Sequence, residues 1–244
     1  MSDTVLILGG RSDIGLAVAH RFAAAGHPVA LAARGADSLE AVRSDIALRH
    51  GVEATLHEFD VLETKALSGF ADRLGALPEI VVCVVGAMGE QRVSERDLDA
   101  AALVMRTNYE GPALALGVFA ERMAGRGYGT IVGVSSVAGD RGRASNYVYG
   151  SAKAGFSAFL SGLRNRLAKA GVHVVTVKPG FVATRMTYGV NLPGALTVTP
   201  ETVAEAIYRA VSRRRSIVYV KALWRPLMGV IRAIPEPIFK KLSL

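Results

Sequence analysis

Near its amino terminus the chain reads Thr4-Val-Leu-Ile-Leu-Gly-Gly-Arg-Ser-Asp-Ile-Gly15. The apolar run that begins this segment is typical of a short strand buried on both faces of a parallel sheet. The glycine-rich turn that follows leads into a helical pattern that ends near Gly26. This strand, turn and helix are the first unit of a chain in which strands and helices alternate.

The alternation continues along the rest of the sequence. Further strands are predicted at 28–33, 53–59, 80–85, 130–135, 172–177 and 217–220, and further helices at 37–50, 63–75, 95–123, 147–170 and 200–212. The helix at 95–123 is interrupted at Asn108 and at Gly111-Pro112. This pattern predicts an α/β fold with a doubly wound parallel sheet of the Rossmann type. We predict a single domain, residues 1–221, followed by a basic amphipathic C-terminal tail, residues 222–244.

Composition and charge narrow the functional classes. The 244 residues include one cysteine, Cys83, which excludes an internal disulfide framework and suits a reducing cytosol. No secretory leader is predicted, and no apolar run reaches the ~18–20 residues of a membrane-spanning helix, so we expect a cytoplasmic protein. The net charge of +8 is spread without a basic-aromatic cluster, which argues against nucleic-acid binding. It suits an anionic cofactor, an anionic substrate or a membrane surface, and no metal site is predicted.

The glycine turn is the predicted nucleotide-binding site. Gly9, Gly10 and Gly15 lie between the first strand and the first helix, where such folds bind a pyrophosphate against the helix N-terminus; the alternative is a plain tight turn. Strand two ends at Arg34 without an acidic residue, and Arg11 lies in the glycine turn. Two guanidinium groups at this place favour the 2′-phosphate of NADP(H) over the hydroxyl of NAD(H), unless both are ordinary surface arginines.

Asp60-Val61 follows strand three at the same edge of the sheet. Asp60 either contacts the adenine edge of the nucleotide or caps the next helix, and the sequence does not separate these two roles.

A second polar cluster follows strand five. Ser136 comes at the end of this strand, and Tyr149 and Lys153 lie one helical turn apart on the next helix. A phenol titrates near pH ~10, and a neighbouring ammonium favours the phenolate, so we expect Lys153 to lower the pKa of Tyr149. Tyr149 can then exchange a proton with a substrate oxygen that Ser136 holds by a hydrogen bond. Taken alone, this spacing more often marks a solvated helix face.

Together these motifs resemble the short-chain dehydrogenase/reductase family over residues 3–221, in the family's order and spacing. The resemblance implies hydride transfer between a nicotinamide cofactor and a carbonyl carbon. It implies that Tyr149 is the general acid/base and that Lys153 binds the nicotinamide ribose. It further implies that Ser136 orients the carbonyl and that Asn108 holds a water in a proton relay with Lys153.

The resemblance also implies a cofactor site and an assembly. The cofactor residues are Gly9, Arg11, Ser12, Ile14, Gly15, Arg34, Asp60, Val61, Gly86, Tyr149, Lys153, Pro179, Gly180, Val182 and Thr184. Of these, Pro179, Gly180 and Thr184 match the motif that seats the nicotinamide amide. Family members commonly pair through the two helices that here carry Asn108 and Tyr149, so a homodimer or homotetramer is implied.

The sequence departs from the family pattern in three places. Asp13 replaces the middle glycine of the cofactor turn, where an acid would repel a pyrophosphate, so we expect Asp13 to cap the first helix and point away. Leu8 replaces the usual threonine, and Cys83-Val-Val replaces Asn-Asn-Ala before Gly86, which removes side-chain hydrogen bonds between central strands. We expect these substitutions to affect the affinity for the cofactor more than the reaction itself.

Within the family, four stretches resemble the decaprenylphosphoryl-2-keto-ribose reductases. They are residues 5–15, 140–146, 180–186 and 231–244. Those enzymes reduce a keto sugar linked through phosphate to a polyprenol, which implies a lipid-linked substrate. A 3-oxoacyl thioester or a small ketone remains open as the substrate, and so does a non-catalytic NADP-binding sensor. The intact set of Asn108, Ser136, Tyr149 and Lys153 argues against the sensor.

Two segments are candidates for substrate binding. Arg141 and Arg143 follow the strand that ends at Ser136 and can hold a phosphate, or they belong to a solvated loop. The segment 185–199, here called the lid segment, suits an adaptable apolar cover, although an ordinary surface loop is the alternative. Its apolar residues are Met186, Tyr188, Leu192 and Leu196.

The tail has helical periodicity. Its apolar residues are Leu223, Trp224, Leu227, Met228, Ile231 and Ile234, with Arg225 and Arg232 on another side and Lys240-Lys241 near the end. Such an element either lies on an anionic membrane surface, on the inner face of the membrane here, or packs on its own subunit or on a partner subunit.

Overall fold

A computed structural model describes residues 3–189 and 193–242 of the chain. Its centre is a seven-stranded sheet with the strand order β3-β2-β1-β4-β5-β6-β9, in which all neighbours run parallel. The strands are β1 (Val5–Leu8), β2 (Val29–Ala33), β3 (Ala54–Glu58), β4 (Ile80–Cys83), β5 (Gly129–Val134), β6 (Val172–Pro179) and β9 (Ile217–Val220). A separate two-stranded sheet pairs β7 (Phe181–Val182) with β8 (Thr197–Val198). The predicted doubly wound parallel sheet is confirmed.

Helices cover both faces of the large sheet. They are α1 (Asp13–Ala23), α2 (Glu40–His50), α3 (Leu67–Arg73), α4 (Gln91–Ser94), α5 (Leu98–Met105), α6 (Gly111–Arg126), α7 (Tyr147–Leu167), α8 (Pro200–Ser212), α9 (Trp224–Ala233) and α10 (Glu236–Phe239). Buried side chains of α1, α2 and α8 form one core cluster with the sheet, and those of α3, α6 and α7 form another on the opposite face. The central strands are apolar throughout because both of their faces are covered.

The topology fixes where a ligand can bind. The chain moves from β1 to β2 and β3 on one side and then returns to β4 on the other side of β1. A doubly wound sheet opens a crevice at the carboxyl ends of the strands where this reversal occurs. The crevice therefore lies beyond Leu8 of β1 and Cys83 of β4, which are paired in register.

The predicted long helix at 95–123 is divided in the structure. The helices α5 and α6 replace it, and residues Arg106–Glu110 form a π-helical turn between them, at the predicted interruption at Asn108. The short helix α4 ends before residue 95. Pro112 explains this turn, because a proline has no N–H to donate and its ring clashes with the carbonyl group four residues earlier. That carbonyl belongs to Asn108, and the widened turn holds the Asn108 side chain in the interior, where it is 0% exposed.

The tail packs on its own subunit. Trp224 and Met228 are buried against Val137, and Phe181 and Leu227 pack around them. The apolar stripe of α9 therefore faces the loops at the carboxyl end of the sheet. Among the helices of the described residues, none is both long and apolar enough to cross a bilayer.

Candidate active site

A cavity of about 410 Å³ lies at the carboxyl ends of the central strands. Ser136, Tyr149 and Lys153 line it, so the structure brings these three predicted residues together. Seven of the other predicted cofactor residues also line it: Ser12, Ile14, Gly86, Pro179, Gly180, Val182 and Thr184. The cavity thus joins the cluster after β5 to the glycine turn after β1.

The loop after β5 is held tightly against α7. The Ser135 hydroxyl donates to the carbonyl oxygen of Lys153 at 3.0 Å and lies 2.7 Å from the hydroxyl of Ser157. A Cβ atom on Gly139 would lie 2.6 Å from the backbone of Lys153, so only glycine permits this close approach. These contacts fix the distance between Ser136 and the helix that carries Tyr149.

A buried ion pair connects the same loop to the neighbouring strand β6. The Lys178 ammonium lies 2.5 Å from the Asp140 carboxylate, and the Tyr219 hydroxyl donates to that carboxylate at 2.8 Å. The Asp140 side chain is 2% exposed, so both of its oxygens depend on these partners. The loop that begins at Ser136 is therefore tied to β6 and to β9.

The Tyr149 phenol, the predicted proton-transfer group, lines the cavity. Burial raises its pKa, and a hydrogen bond with the Ser136 hydroxyl opposes this shift. The Ser136 oxygen also accepts a hydrogen bond from the backbone N–H of Ala138 at 3.1 Å, which fixes its position. The pair can hold a carbonyl oxygen between two hydroxyl groups.

Lys153 does not act on Tyr149 in the way the sequence suggested. Its ammonium donates to the carbonyl oxygen of Val134 at 3.2 Å and lies 5.7 Å from the centre of the Tyr149 ring. Burial lowers the pKa of Lys153 to about 8. The prediction that Lys153 lowers the pKa of Tyr149 is wrong for this structure, because burial dominates both groups and Lys153 is not among the causes of the Tyr149 shift.

Asn108 lies near Lys153 but does not line the cavity. Its amide nitrogen donates to the carbonyl oxygens of Ala87 and Val104, at 2.5 and 2.8 Å, and its oxygen accepts from the backbone N–H of Ala87. A Cβ atom on Gly86 would lie 2.8 Å from the Asn108 oxygen and 3.2 Å from the Lys153 ammonium. Asn108 therefore fixes the loop that separates it from Lys153, and its role in a proton relay stays a prediction.

The glycine turn fits a dinucleotide. Gly9 has a φ of +93°, and a Cβ atom on Gly15 would lie 2.5 Å from the carbonyl oxygen of Gly9. Only glycine allows this tight approach of the turn to the first helical residues. The turn ends at the N-terminus of α1, where unpaired N–H groups and the helix dipole favour an anion. The fold and the turn are therefore suited to the pyrophosphate of a nicotinamide dinucleotide.

Asp13 has a different partner from the one we expected. Ser12 is the N-cap of α1 and accepts a hydrogen bond from Gly15 N–H at 3.0 Å. The Asp13 carboxylate accepts from the backbone N–H and from Nε of Arg185, each at 2.7 Å, and Arg185 also donates to the carbonyl oxygen of Arg11. The capping prediction for Asp13 is wrong because Ser12 occupies that place. The Arg185 charge offsets the acid and joins the lid segment to the glycine turn.

The residues predicted for the adenosine end lie outside the cavity. Arg11 reaches the carbonyl oxygen of Arg34 at 3.5 Å, so both arginines lie at the end of β2, and the Arg34 side chain is 73% exposed. The Asp60 carboxylate accepts from Leu62 N–H at 2.9 Å and lies 4.0 Å from Arg34. Asp60 is not a helix cap, because the next helical turn, Thr64–Ala66, has Glu63 at its N-cap position. Val61 is buried in the core below this edge.

The substrate candidates separate into two groups. Arg143 and Met186 line the cavity, whereas Tyr188 does not line it and is 93% exposed. Arg141 donates to the carbonyl oxygens of Arg232 and Ile234, at 2.9 and 2.8 Å, and pairs with Glu236 at 2.7 Å. The prediction that Arg141 holds a substrate phosphate is therefore wrong, because the end of α9 and the start of α10 use its guanidinium. Leu192 lies outside the described residues.

The lining residues that sequence reasoning did not assign to the site include Asn146, Arg185 and Trp224. The acidic residue Asp13 in the glycine turn was the sequence feature that could have predicted a basic partner such as Arg185. Trp224 covers Gly180 so closely that a Cβ atom there would lie 2.1 Å from the indole ring. The sequence signal for Trp224 was weak, since the residue comes after the last predicted strand.

Comparison with known proteins agrees with this geometry. Residues 3–193 match the family model of the short chain dehydrogenases. The chain belongs to the short-chain dehydrogenase family. An uncharacterized oxidoreductase of Mycobacterium tuberculosis is 37% identical over 99% of this chain and 99% of its own length. Another, from Streptomyces coelicolor, is 36% identical over 98% of this chain and 95% of its own length.

A solved structure leads to the same family. A short-chain dehydrogenase from Sphingobium yanoikuyae, in complex with NADPH, has a TM-score of 0.83 and 25% identity, and the match covers 96% of this chain and 97% of that chain. An actinorhodin polyketide ketoreductase with NADPH shares the fold with a TM-score of 0.78 and 24% identity, over 90% of this chain and 95% of its own. The short-chain dehydrogenase described here is therefore an oxidoreductase whose fold binds a nicotinamide cofactor.

Proposed function

We propose that this short-chain dehydrogenase is an NADPH-dependent reductase of a carbonyl group. The observation that carries the proposal is that Ser136, Tyr149 and Lys153 line one cavity together with the end of the glycine turn. The nicotinamide supplies the hydride when it is bound. Because burial raises the Tyr149 pKa, the phenol is protonated at neutral pH and can donate its proton to the carbonyl oxygen. Ser136 holds that carbonyl oxygen by a hydrogen bond, and the Lys153 ammonium supplies a positive charge near the Tyr149 ring.

Arg11 and Arg34 support the preference for NADPH. Both lie at the end of β2, where an acidic residue would select the ribose hydroxyl of NAD(H) and where the chain has Ala33 instead. The Sphingobium yanoikuyae relative was solved with NADPH. Losing a charged contact worth about 1.5–3 kcal/mol should raise the KM for NADPH of Arg34→Ala about 10- to 100-fold. The KM for NADH should change little, and equal changes for the two cofactors would contradict the preference.

For the substrate we propose a polyprenylphosphoryl keto sugar, as in the decaprenylphosphoryl-2-keto-ribose reductases. Arg143 provides a positive charge in the cavity, and Met88, Phe181 and Met186 provide apolar contacts beside it. The competing substrates are a 3-oxoacyl thioester and a small ketone. Initial rates of NADPH oxidation with one compound of each class separate these proposals. The account expects the highest kcat/KM with the polyprenylphosphoryl keto-pentose, and a higher value for another class would replace that substrate.

The same measurement tests the alternative of a non-catalytic sensor. The sensor proposal gains if the protein binds NADPH tightly and oxidises it with none of the three substrate classes. Turnover of any of them excludes a purely binding role.

We also propose that the outer side of the tail contacts anionic membranes. Leu223, Val230 and Ile238 are exposed there, and Lys240 and Lys241 follow in the chain. Because Trp224 lines the cavity, deletion of the tail would disturb the active site and would not be a clean test. The double variant Lys240→Glu, Lys241→Glu should reduce flotation with phosphatidylglycerol vesicles. Equal flotation of variant and wild type would end this proposal.

A further inference from the structure

Three buried polar atoms at the cavity have no hydrogen-bond partner among the described residues. They are Nε of Arg143, the side-chain oxygen of Asn146 and Nε1 of Trp224. All three residues line the same cavity as Tyr149. A buried polar group without a partner costs about 1–3 kcal/mol, so three around one cavity point to a ligand that satisfies them.

Arg143 is the charged member of this group. It lies in the loop between β5 and α7, and no residue of the described chain forms an ion pair with it. Burial lowers its pKa, which is the sign of a cation that has lost water without gaining a counter-ion. Arg141, two residues earlier, differs, because both terminal nitrogens of its guanidinium bind the tail. The loop therefore presents one arginine to the tail and one to the cavity.

Asn146 and Trp224 complete the group from two other elements. Asn146 occupies the N-cap position of α7, yet its side chain makes no capping hydrogen bond. Its oxygen lies 3.8 Å from the place of a Cβ atom on Gly150, one turn along the helix that carries Tyr149. Trp224 begins α9 and packs its ring against Phe181 at 5.7 Å, with its edge over Gly180. The tail thus supplies one wall of the active site.

We propose that Arg143, Asn146 and Trp224 form a substrate subsite that binds an anionic oxygen group, a phosphate or a carboxylate, carried by the ketone. Arg143 and Trp224 donate hydrogen bonds to the anion, and Asn146 accepts one from a neighbouring hydroxyl of the same substrate. This inference rests on the proposed carbonyl reductase and adds the class of ketone. It also makes the tail a specificity element of the active site.

The single tryptophan of the chain allows a test of binding that does not depend on turnover. The emission of Trp224 is followed while inorganic phosphate, dihydroxyacetone phosphate or acetoacetate is titrated into the full-length protein. We expect a saturable change with at least one anion, about tenfold weaker in Arg143→Met because a charge-assisted hydrogen bond is lost. Arg213→Met, which removes an exposed charge between α8 and the amino end of β9, should titrate like wild type.

Each outcome of this titration has a meaning. Saturation by the phosphates alone or by acetoacetate alone identifies the group that the subsite accepts. The absence of saturation with all three compounds overturns the subsite. Equal affinities of wild type and Arg143→Met overturn it as well.

Matched ketones test the role of the subsite in the reaction. NADPH oxidation is measured with dihydroxyacetone phosphate against dihydroxyacetone and with acetoacetate against methyl acetoacetate. We expect the ratio of kcat/KM between charged and neutral ketone to exceed one and to fall about tenfold in Arg143→Met and in Trp224→Phe, but not in Arg213→Met. If the neutral ketone is reduced with the same kcat/KM as its charged partner, the proposed subsite is wrong, but the proposed reductase activity is not affected. A saturable Trp224 signal without any turnover leaves the subsite standing and removes the proposed function.

Discussion

Burial controls the two titratable groups at the centre of the cavity. It raises the pKa of Tyr149 and lowers that of Lys153, so it favours the neutral form of both. For Tyr149 the neutral form is the acid that a reductase needs. For Lys153 the consequence is a folded state that holds a buried positive charge at neutral pH, with the carbonyl oxygen of Val134 as its hydrogen-bond acceptor.

The first prediction concerns the stability of the cofactor-free protein. The difference between the ordinary pKa of 10.5 and about 8 for Lys153 corresponds to about 3 kcal/mol of destabilisation at pH 7. Lys153→Met removes this penalty and loses one hydrogen bond worth about 1 kcal/mol. We expect the melting temperature at pH 7 to rise by roughly 4–8 °C. Differential scanning calorimetry measures it.

The pH dependence provides the control for this prediction. Because the pKa of Lys153 is lower in the folded state than in the unfolded state, folding releases a proton between about pH 8 and pH 10.5. The stability of the wild type therefore rises with pH in that window, and the advantage of Lys153→Met should shrink over the same range. A stability difference that stays constant from pH 7 to pH 10.5 would contradict burial as its cause.

At the scale of residues, the sequence predicted site residues that lie near one another in the chain. It did not predict contacts between residues that are far apart in the chain. Ser136, Tyr149 and Lys153 were predictable because they lie near one another in the chain and because their elements have clear patterns. Asp13 and Arg185 form an ion pair across 172 positions, which no local pattern can show. Arg141 and Arg143 are alike in sequence, and only the packing of the tail separates their roles.

Among the elements, the tail helix α9 packs closely on Gly180, the residue between β6 and β7. A Cβ atom on Gly180 would lie 2.1 Å from the Trp224 indole, so Gly180→Ala must displace the ring. We expect Gly180→Ala to lower the melting temperature and to shift the Trp224 emission to longer wavelength, because the indole becomes exposed to water. Overpacking of this kind costs about 1–3 kcal/mol.

Gly229→Ala is the matched control. Gly229 lies in α9, the helix that carries Trp224, and a Cβ atom added to it would meet no other atom within 4 Å. Alanine is the better helix former there, so this variant should be as stable as wild type or about 0.5–1 kcal/mol more stable. An unchanged emission spectrum in Gly180→Ala would show that Trp224 does not rest on Gly180 in solution.

Strands were easier to predict from the sequence than the elements between them. The strands β1 and β4 are continuous apolar runs because they are buried on both faces, and this signal is local. The interruption predicted within 95–123 at Asn108 and Gly111-Pro112 is the π-helical turn Arg106–Glu110, which Pro112 explains. The short strands β7 and β8 in and beside the lid segment were missed, since two-residue strands have no periodicity to detect.

On the scale of the whole molecule, one surface suggests an assembly. Leu103 on α5 and Leu114 on α6 are exposed on the segment that carries Asn108, and Leu98 is 85% exposed on the same segment. We predict that the chain forms a homodimer or homotetramer through this surface, because several large apolar side chains exposed on one segment are typical of an interface. Light scattering after size exclusion should give a multiple of the 25.7 kDa chain mass.

Leu114→Glu should shift this mass toward the monomer, because a charge in an apolar interface is costly. Leu48→Glu is the control, since Leu48 is also an exposed leucine but lies on α2, on the other face of the sheet. A wild-type protein that is monomeric at micromolar concentration would contradict the predicted assembly.

The exchange of a proton between Tyr149 and a carbonyl oxygen is tested most directly with Tyr149→Phe. The variant and the wild type are compared by NADPH oxidation with the best ketone of the substrate panel, and NADPH binding is measured in parallel through the emission of Trp224. Because general acid catalysis contributes about 10²- to 10⁴-fold, we predict a loss of kcat of that size with an unchanged dissociation constant for NADPH. A variant that keeps kcat within about threefold of wild type would show that another group donates the proton.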